Sequence, residues 1–231
     1  MDFAGKHVVV TGGTGALGQA VVMRLLEAGA RCHVPVFEDA VSASCAWNGD
    51  DRVAATTGID LSDEDAVVGF YRGLPGGLFA SIHIAGGFGM SPIDETSLAD
   101  FQKQLSMNLV SCFLCCREAV KAIGKDGRIV NVAARPGLIP EQGAGMLSYT
   151  TSKAGVAALT RGLAAEVAER RIWVNAIAPS TIDTPANREA MPDADHETWP
   201  TCHEIAETVC FLASEANKTT RGGLIPVYGA C

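Results

Sequence analysis

The sequence is poor in aromatic and charged residues, which make up 6% and 19% of its 231 positions. Positive charge is the scarcer sign, because 18 Lys and Arg stand against 26 Asp and Glu, for a formal net charge of -8. Proteins that bind nucleic acids gather Lys and Arg on one surface, so we expect no nucleic-acid partner. No apolar run reaches the ~20 residues of a membrane-spanning helix, so we expect no membrane partner either.

The eight cysteines lack the paired spacing of a zinc site. No second Cys or His pair follows Cys112, Cys115 and Cys116 at a suitable distance, so we expect no metal. The first residues run directly into a strand-like segment and do not look like a signal peptide. We therefore expect a reducing, cytoplasmic location and cysteines that are buried as small apolar side chains.

Short β-branched runs alternate along the chain with longer helix-like stretches, which is the pattern of βαβ units. Apolar residues make up 48% of the chain, and its length suffices for one core without disulfide or metal support. We predict one Rossmann-type α/β domain over residues 1–231, a doubly wound parallel sheet of about seven strands with helices on both faces.

The predicted strands cover residues 7–10, 32–37, 53–57, 78–84, 128–133, 173–177 and 224–227. The predicted helices cover residues 16–28, 62–72, 98–123, 149–169 and 203–214. The long irregular stretch over residues 180–200 follows the sixth strand. Ligands of open α/β sheets bind beyond the carboxyl ends of the strands, so this stretch is expected to form a substrate lid there.

A glycine-rich segment joins the first predicted strand to the first predicted helix. Glycines let backbone N–H groups approach a pyrophosphate, and the N-terminus of a helix carries a partial positive charge that favours it. Two glycine spacings fit a dinucleotide fingerprint equally well, so the register stays open, and a purely structural turn is the alternative. The expected cofactor contacts are Gly12, Thr14, Gly15, Ala16, Leu17 and Gly18.

Cofactor preference is expected to depend on the residues after the second strand. Glu38 and Asp39 stand there, and no Lys or Arg lies between Val34 and Asp51. A carboxylate binds a ribose 2'-hydroxyl and repels a 2'-phosphate, so NAD is favoured and NADP stays possible. Asp60, after the third strand, either reaches the adenine or serves as an acid at the start of a helix.

Tyr149 and Lys153 lie one helical turn apart and project from the same face. A tyrosine has a pKa near 10, which a neighbouring ammonium and a cationic nicotinamide ring would lower. The pair therefore suggests a proton donor and its electrostatic partner. The alternative for this spacing alone is ordinary surface hydrogen bonding.

The order of these features resembles the short-chain dehydrogenase/reductase family. The resemblance is carried by the glycine loop, Ala85 with Gly86 and Gly87, Asn108, the Tyr149 and Lys153 pair, and residues 175–180. It implies an NAD(P)-dependent oxidoreductase in which Tyr149 donates or accepts a proton. It also implies that Lys153 lowers the pKa of that tyrosine and holds the nicotinamide ribose, while Asn108 holds a relay water.

The same resemblance implies further contacts and a quaternary state. Ala85, Gly86 and Gly87 would line the adenosine ribose, and the segment of Pro179, Ile182 and Thr184 would contact the nicotinamide carboxamide. The helices of Asn108 and Tyr149 pair across a two-fold axis in the family, so a homodimer or homotetramer is expected. The small outer positions expected to allow this pairing are Ala154, Ala157, Ala158 and Ala164.

Two departures from the family pattern are informative. Ala16 stands at the usual middle glycine of the loop, and Ala134 stands where a serine normally binds the substrate carbonyl. The dihydropteridine reductase branch is similar in that second respect, and residues 12–18, 85–88, 181–188 and 191–195 also resemble it. We therefore expect hydride transfer to a conjugated carbonyl or imine, with quinonoid dihydropteridine as one candidate. The alternative is a nucleotide-binding regulator or scaffold that has lost catalysis.

Overall fold

The computed structural model describes residues 1–231 as a parallel seven-stranded sheet with helices on both faces. The strand order is β3-β2-β1-β4-β5-β6-β7, which confirms the predicted Rossmann-type fold class. The strands are β1 His7–Thr11, β2 Arg31–Pro35, β3 Val53–Thr56, β4 Leu78–His83, β5 Arg128–Val132, β6 Trp173–Pro179 and β7 Leu224–Val227.

Eight α-helices surround this sheet. Serine, threonine and aspartate begin several of them, because their side chains accept hydrogen bonds from otherwise unpaired N–H groups of the first turn. None is long and apolar enough to cross a membrane. The helices are α1 Ala16–Glu27, α2 Glu64–Arg72, α3 Leu98–Leu105, α4 Ser111–Ile123, α5 Arg135–Leu138, α6 Leu147–Glu166, α7 Pro185–Ala190 and α8 Cys202–Ala213.

The core has two parts, one on each face of the sheet. Helices α1 and α8 supply the first apolar cluster, and α2, α4 and α6 supply the second. Val8, Val9 and Val10 are all fully buried because their side chains alternate between the two faces. A strand covered on both faces therefore appears as a continuous apolar run, which is why the strands could be located from the sequence.

The helix predictions need three corrections. The single helix expected over residues 98–123 is divided by a π-helical turn, Ser106–Val110, between α3 and α4. Helix α5 was not expected, because Pro136 and Gly137 are poor helix formers. Helix α7 was not expected either, although Thr184 and Pro185 are typical of a helix start.

Two expectations about small side chains are partly wrong. Six cysteines are buried as expected, but Cys202 is half-buried and Cys231 is exposed at the chain end. Ala157 and Ala164 pack into the apolar cluster under α6, so they do not lie on its outer face. Ala158 is exposed and Ala154 is half-buried.

Candidate active site

A groove of about 970 Å³ opens at the carboxyl ends of β1, β2 and β4. The strand order reverses between β1 and β4, and ligands of doubly wound sheets bind at such a reversal. The predicted cofactor residues that line the groove are Gly12, Thr14, Gly15, Ala16, Leu17, Gly18, Glu38, Asp60, Ala85, Gly86 and Thr184.

The loop between β1 and α1 is closed by contacts that leave no room for side chains. Gly12 has a φ of +66°, and a Cβ there would lie 2.7 Å from the backbone nitrogen of Ala85. A Cβ at Gly18 would overlap the carbonyl oxygen of Gly12. The Trp47 indole Nε1 donates to the carbonyl oxygen of Gly13 at 2.8 Å and so helps to fix the loop. Glycine is therefore required at both positions for steric reasons.

Helix α1 begins beside the groove without a side-chain cap. Its N-cap is Gly15, and its first turn contains no acidic residue. The first N–H groups of a helix have no partner within the helix, and together with the helix dipole they attract an anion. The loop and this helix end therefore offer N–H groups to an anion, and pyrophosphate binding there stays a prediction.

The far end of the groove contains the two predicted acids. Glu38 lines it beside Phe37, whose side chain is 69% exposed. Asp60 lines it too, but its Oδ1 accepts hydrogen bonds from the backbone nitrogen and the hydroxyl of Ser62, at 2.8 and 2.7 Å. The N-cap of α2 is Asp63. Both roles considered for Asp60, an adenine contact and an acid near a helix start, are compatible with this position.

Asn108 lies in the π-helical turn and binds the backbone of the loop after β4. Its Oδ1 accepts from the Gly87 nitrogen and its Nδ2 donates to the Gly87 oxygen, both at 3.0 Å. Nδ2 also lies 3.1 Å from Gln104 Oε1. A Cβ on Gly86 would overlap Asn108 Oδ1 and lie 3.3 Å from Lys153 Nζ. Asn108 thus fixes the loop at the point where it meets the lysine.

Tyr149 and Lys153 both project from α6 toward this junction. Lys153 Nζ lies 5.9 Å from the centre of the Tyr149 ring and donates to the carbonyl oxygen of Val132 at 2.9 Å. Phe88 packs edge-on against the tyrosine, with ring centres 5.0 Å apart. The pair predicted from its spacing is therefore placed together, with an aromatic neighbour that the sequence did not indicate as a partner.

The pKa of Tyr149 moves in the direction opposite to our expectation. Burial raises it to about 12, whereas burial lowers the pKa of Lys153 to about 8. In both groups the charged form is disfavoured because it loses water. The lysine ammonium is directed to the Val132 oxygen, so the protein's own groups keep Tyr149 protonated. A tyrosine in this state carries the proton that a donor needs, but it is a weaker acid than free tyrosine until a positive charge is brought beside it.

Position 134, where the family resemblance leads one to expect a serine, supplies no side-chain hydrogen-bond donor. Ala134 is buried two residues after the end of β5 and precedes α5 in extended backbone. Ser148, adjacent to Tyr149, lines a second cavity of about 590 Å³, together with Phe88, Met90 and Met146. The apolar walls expected from these last three residues are therefore found in the second cavity.

The other predicted contacts lie around the groove. Gly87 lines the second cavity, Pro179 ends β6, and Ile182 packs partly against the core. Thr184 both lines the groove and caps α7, since its Oγ1 accepts from the Asn187 nitrogen at 3.2 Å.

Several lining residues were missed by the sequence reasoning. Those in α3 and the π-helical turn were missed because the sequence predicted only a regular helix there, which gives no indication that its residues line a groove. The missed lining residues are Pro35, Phe37, Ile59, Leu61, Ser62, Ile84, Lys103, Ser106, Met107 and Ser111.

A buried cluster of His83, Cys112 and Cys116 lies near Lys153. Their Nδ1, Nε2 or Sγ atoms approach within 4.8 Å of one another, an arrangement that sequence spacing did not suggest. His83 Nδ1 is 2.8 Å from Asn131 Oδ1, to which Cys116 Sγ also donates at 3.4 Å. The hydrogen bond that Cys112 shares with Cys116 lowers the pKa of Cys112. The histidine ring nitrogen is thus already engaged in a hydrogen-bond network.

Comparison with known proteins agrees with this geometry. The family model described as short chain dehydrogenase matches residues 6–195. The chain belongs to this family. Members of the short-chain dehydrogenase family are NAD(P)-dependent oxidoreductases, so the chain is an enzyme of that class.

Individual relatives span almost the whole chain. Galactitol 2-dehydrogenase from Rhizobium johnstonii is 35% identical, over 96% of this chain and 93% of its own length. The NAD(+) enzyme 2-dehydro-3-deoxy-L-rhamnonate dehydrogenase from a Sphingomonas species is 31% identical, over 98% and 95%. The crystal structure of gox2181 superposes with a TM-score of 0.91 at 27% identity, over 99% of this chain and 96% of that one.

Proposed function

We propose that this enzyme is an NAD(P)H-dependent reductase that transfers hydride to a conjugated carbonyl or imine, with Tyr149 as the proton donor. One observation carries the proposal: Gly86 lines the groove that also contains the glycine loop, Asn108 and Lys153 lie against Gly86, and Lys153 Nζ is 5.9 Å from the centre of the Tyr149 ring. Quinonoid dihydropteridine is a candidate acceptor, because several segments of the chain resemble that branch of the family.

The residues present fit a dinucleotide. A Cβ at Gly12 or Gly18 would collide with neighbouring backbone, so the loop carries no side chain at these positions. This leaves space beside the uncapped N-terminus of α1, where a pyrophosphate would be held. Gly12, Thr14, Gly15, Ala16, Leu17 and Gly18 would surround it, and Glu38 would accept from the adenosine ribose. The bound nicotinamide would supply the hydride. We propose NAD as the preferred form because Glu38 lines the groove there, while NADP remains possible.

The chain's own residues would position and protonate the acceptor. Burial keeps Tyr149 protonated, as a donor must be, and the Lys153 ammonium would hold the nicotinamide ribose and stabilise the phenolate that is left after transfer. Asn108 anchors Gly87 and so fixes the loop beside the ring. Ala85, Gly86, Gly87, Pro179, Ile182 and Thr184 would complete the cofactor site.

The alanine at position 134 indicates which class of acceptor the enzyme reduces. An isolated ketone needs a donor for the oxygen that becomes negative, and loss of one such donor costs about 10² to 10³ in turnover. A conjugated acceptor spreads the charge over several atoms, so a single proton donor suffices more readily. The missing side-chain donor at Ala134 therefore favours a conjugated acceptor.

The remaining features of the proposal concern the working form of the enzyme. We propose that it acts as one domain with residues 180–200 as a lid, and that it forms a homodimer or homotetramer. The exposed Val110 and Phe113 on the α3 to α4 segment support pairing through that face. Eight free thiols support a reducing, cytoplasmic location.

A competing function follows from the same alanine. The alternative is a regulator or scaffold that, without this donor, binds the cofactor and reduces nothing. The discriminating experiment measures both properties in one sample. NADH and NADPH affinities are determined first, and the enzyme is then offered simple ketones, quinones and a quinonoid pterin. Oxidation of the bound cofactor by conjugated acceptors supports the reductase, whereas tight binding without oxidation of the cofactor by any acceptor supports the regulator.

A further inference from the structure

The side-chain amide of Gln104, near the end of α3, is buried but uses only part of its hydrogen-bonding capacity. The residue is 8% exposed. Its Oε1 accepts from Asn108 Nδ2 at 3.1 Å, and this is the only hydrogen bond of the side chain. Buried polar groups are nearly always hydrogen-bonded, because a buried donor without a partner costs free energy. The unused Nε2 is therefore a donor that a ligand could engage.

The orientation of this amide is fixed by its neighbour. Asn108 Oδ1 accepts from the Gly87 nitrogen, so Nδ2 has to be the donor, and it donates to the Gly87 oxygen and to Gln104. A donor can face only an acceptor, which places Oε1 of Gln104 on that side. Nε2 is then turned toward Gly89, where a Cβ would lie 2.6 Å from it. The absence of a side chain at Gly89 leaves the donor uncovered.

Gln104 lines the second cavity, of about 590 Å³. This cavity adjoins the cofactor groove, because Lys103 and Met107 line both. It also lies close to the proposed proton donor, since Phe88 lines it and packs edge-on against Tyr149 with ring centres 5.0 Å apart. An acceptor in this cavity would therefore lie beside the cofactor groove and share the cavity with the free amide donor.

The other walls of the cavity favour a neutral and largely apolar ligand. Phe88, Met90 and Met146 offer an aromatic ring and two thioethers, which pack well against a flat conjugated ring. The two charged residues of the cavity, Asp100 and Lys103, have opposite signs and lie three positions apart on α3. The cavity therefore has no excess charge of either sign to attract an ion.

We propose that Gln104 Nε2 donates a hydrogen bond to a second carbonyl oxygen or a ring nitrogen of a neutral conjugated acceptor, apart from the carbonyl or imine that is reduced. This inference rests on the proposed reductase function and narrows its substrate class. Because Oε1 is held by Asn108, the amide offers only N–H groups to the cavity, so it recognises an atom with a lone pair. An amide N–H carries no formal charge, which suits a neutral ligand.

Two pairs of aryl ketones test this proposal, and the members of each pair differ by one hydrogen-bond acceptor. 4-Acetylpyridine has a ring nitrogen where acetophenone has a CH group, and 1-phenylpropane-1,2-dione has a carbonyl where propiophenone has a methylene group. Binding is measured by calorimetry with saturating NAD, so that no turnover is required. We expect the wild type to bind at least one of the two acceptor-bearing compounds about tenfold more tightly than its counterpart.

Gln104→Glu separates the donor from the contact with Asn108. The glutamate keeps one oxygen for Asn108 and replaces the Nε2 donor with a second oxygen, so in weakly alkaline buffer the preference should be lost through KM with little change in kcat. Gln104→Met removes both atoms and should lose the preference as well. Gln102→Glu is the matched control and should keep it, since Gln102 lies exposed on the same helix and lines neither cavity.

The outcomes distinguish this inference from the function on which it rests. Equal binding within both pairs by the wild type, or a preference that survives in Gln104→Glu, overturns the assignment even if the ketones are reduced. Equal weakening of both members of a pair in Gln104→Met, with wild-type binding by Gln104→Glu, overturns it in favour of a role in positioning Asn108. If the wild type shows the preference and Gln104→Glu loses it, yet no acceptor is reduced, the subsite stands and the reductase function fails.

Discussion

The two sides of the cleft differ in what lines them: one is mainly glycine backbone and the other mainly side chains. On the β1 to β4 side, the groove is bounded by glycine backbone, and at Gly12 and Gly18 an added Cβ would collide with neighbouring backbone. On the β5 side, side chains take the place of bare backbone: Ala134 is buried after the strand, and Phe88, Met146 and Ser148 line the second cavity. The backbone side suits the constant part of a cofactor, and the side-chain side suits a variable substrate.

This difference predicts how each side responds to substitution. A change on the glycine side should affect any reaction of the enzyme, because it alters the space for the cofactor. A change on the side-chain side should alter which acceptor is reduced and leave cofactor binding intact. The tests below are ordered by the size of the expected effect.

Gly18→Ala is the severest test of the glycine side. The new Cβ would overlap the Gly12 carbonyl oxygen, and overpacking against backbone costs up to about 3 kcal/mol, or about 100-fold in affinity. We expect NADH affinity, measured by fluorescence titration, to fall by about that factor. Gly162→Ala in α6, where no atom lies within 4 Å, is the control and should bind NADH normally. Normal binding by Gly18→Ala would contradict the assigned loop geometry.

Ala134→Ser tests the side-chain wall. The hydroxyl would supply the donor that this wall lacks, so reduction of simple, unconjugated ketones should rise about tenfold in kcat. NADH affinity should stay unchanged, because Ala134 lies outside the groove. An equal change in turnover with conjugated and unconjugated acceptors would show that the alanine does not select between them.

Lys153→Met tests how much free energy of unfolding is lost by burying a charged lysine where the two sides of the cleft meet. The pKa of Lys153 is about 8 in the fold, below its ordinary value of 10.5, so the unfolded chain binds more protons between these values. Stability should therefore rise with pH across that window, by at most about 3 kcal/mol, and Lys153→Met should lack this rise. Urea unfolding at several pH values measures it, with the exposed Lys125→Met as control. Parallel curves for Lys153→Met and wild type would refute the shift.

The sequence predicted the backbone side of the cleft well, for a physical reason. Strands buried on both faces appear as apolar runs such as Val8 to Val10, and a tight turn requires glycine at fixed positions such as Gly12. Local chemistry is enough to locate such features. The resemblance to a known family then added Asn108, whose role no local pattern would have shown.

The side-chain wall could not be predicted because it depends on contacts between distant segments. The contact of Phe88 with Tyr149 joins residues 61 positions apart, and the network of His83 joins β4, β5 and α4. The pKa of Tyr149 was expected to fall beside the lysine ammonium and a bound nicotinamide ring, whereas burial, which only the fold reveals, raises it in the chain by itself.

The most direct test of the account is a single-turnover measurement with Tyr149→Phe. Enzyme loaded with NADH is mixed with a conjugated acceptor that the wild type reduces, and the loss of the reduced cofactor is followed in time. We predict that Tyr149→Phe binds NADH as tightly as wild type but oxidises it about 10² to 10⁴ times more slowly, because the proton donor is gone. Oxidation at the wild-type rate would contradict the role of Tyr149 and with it the proposed mechanism.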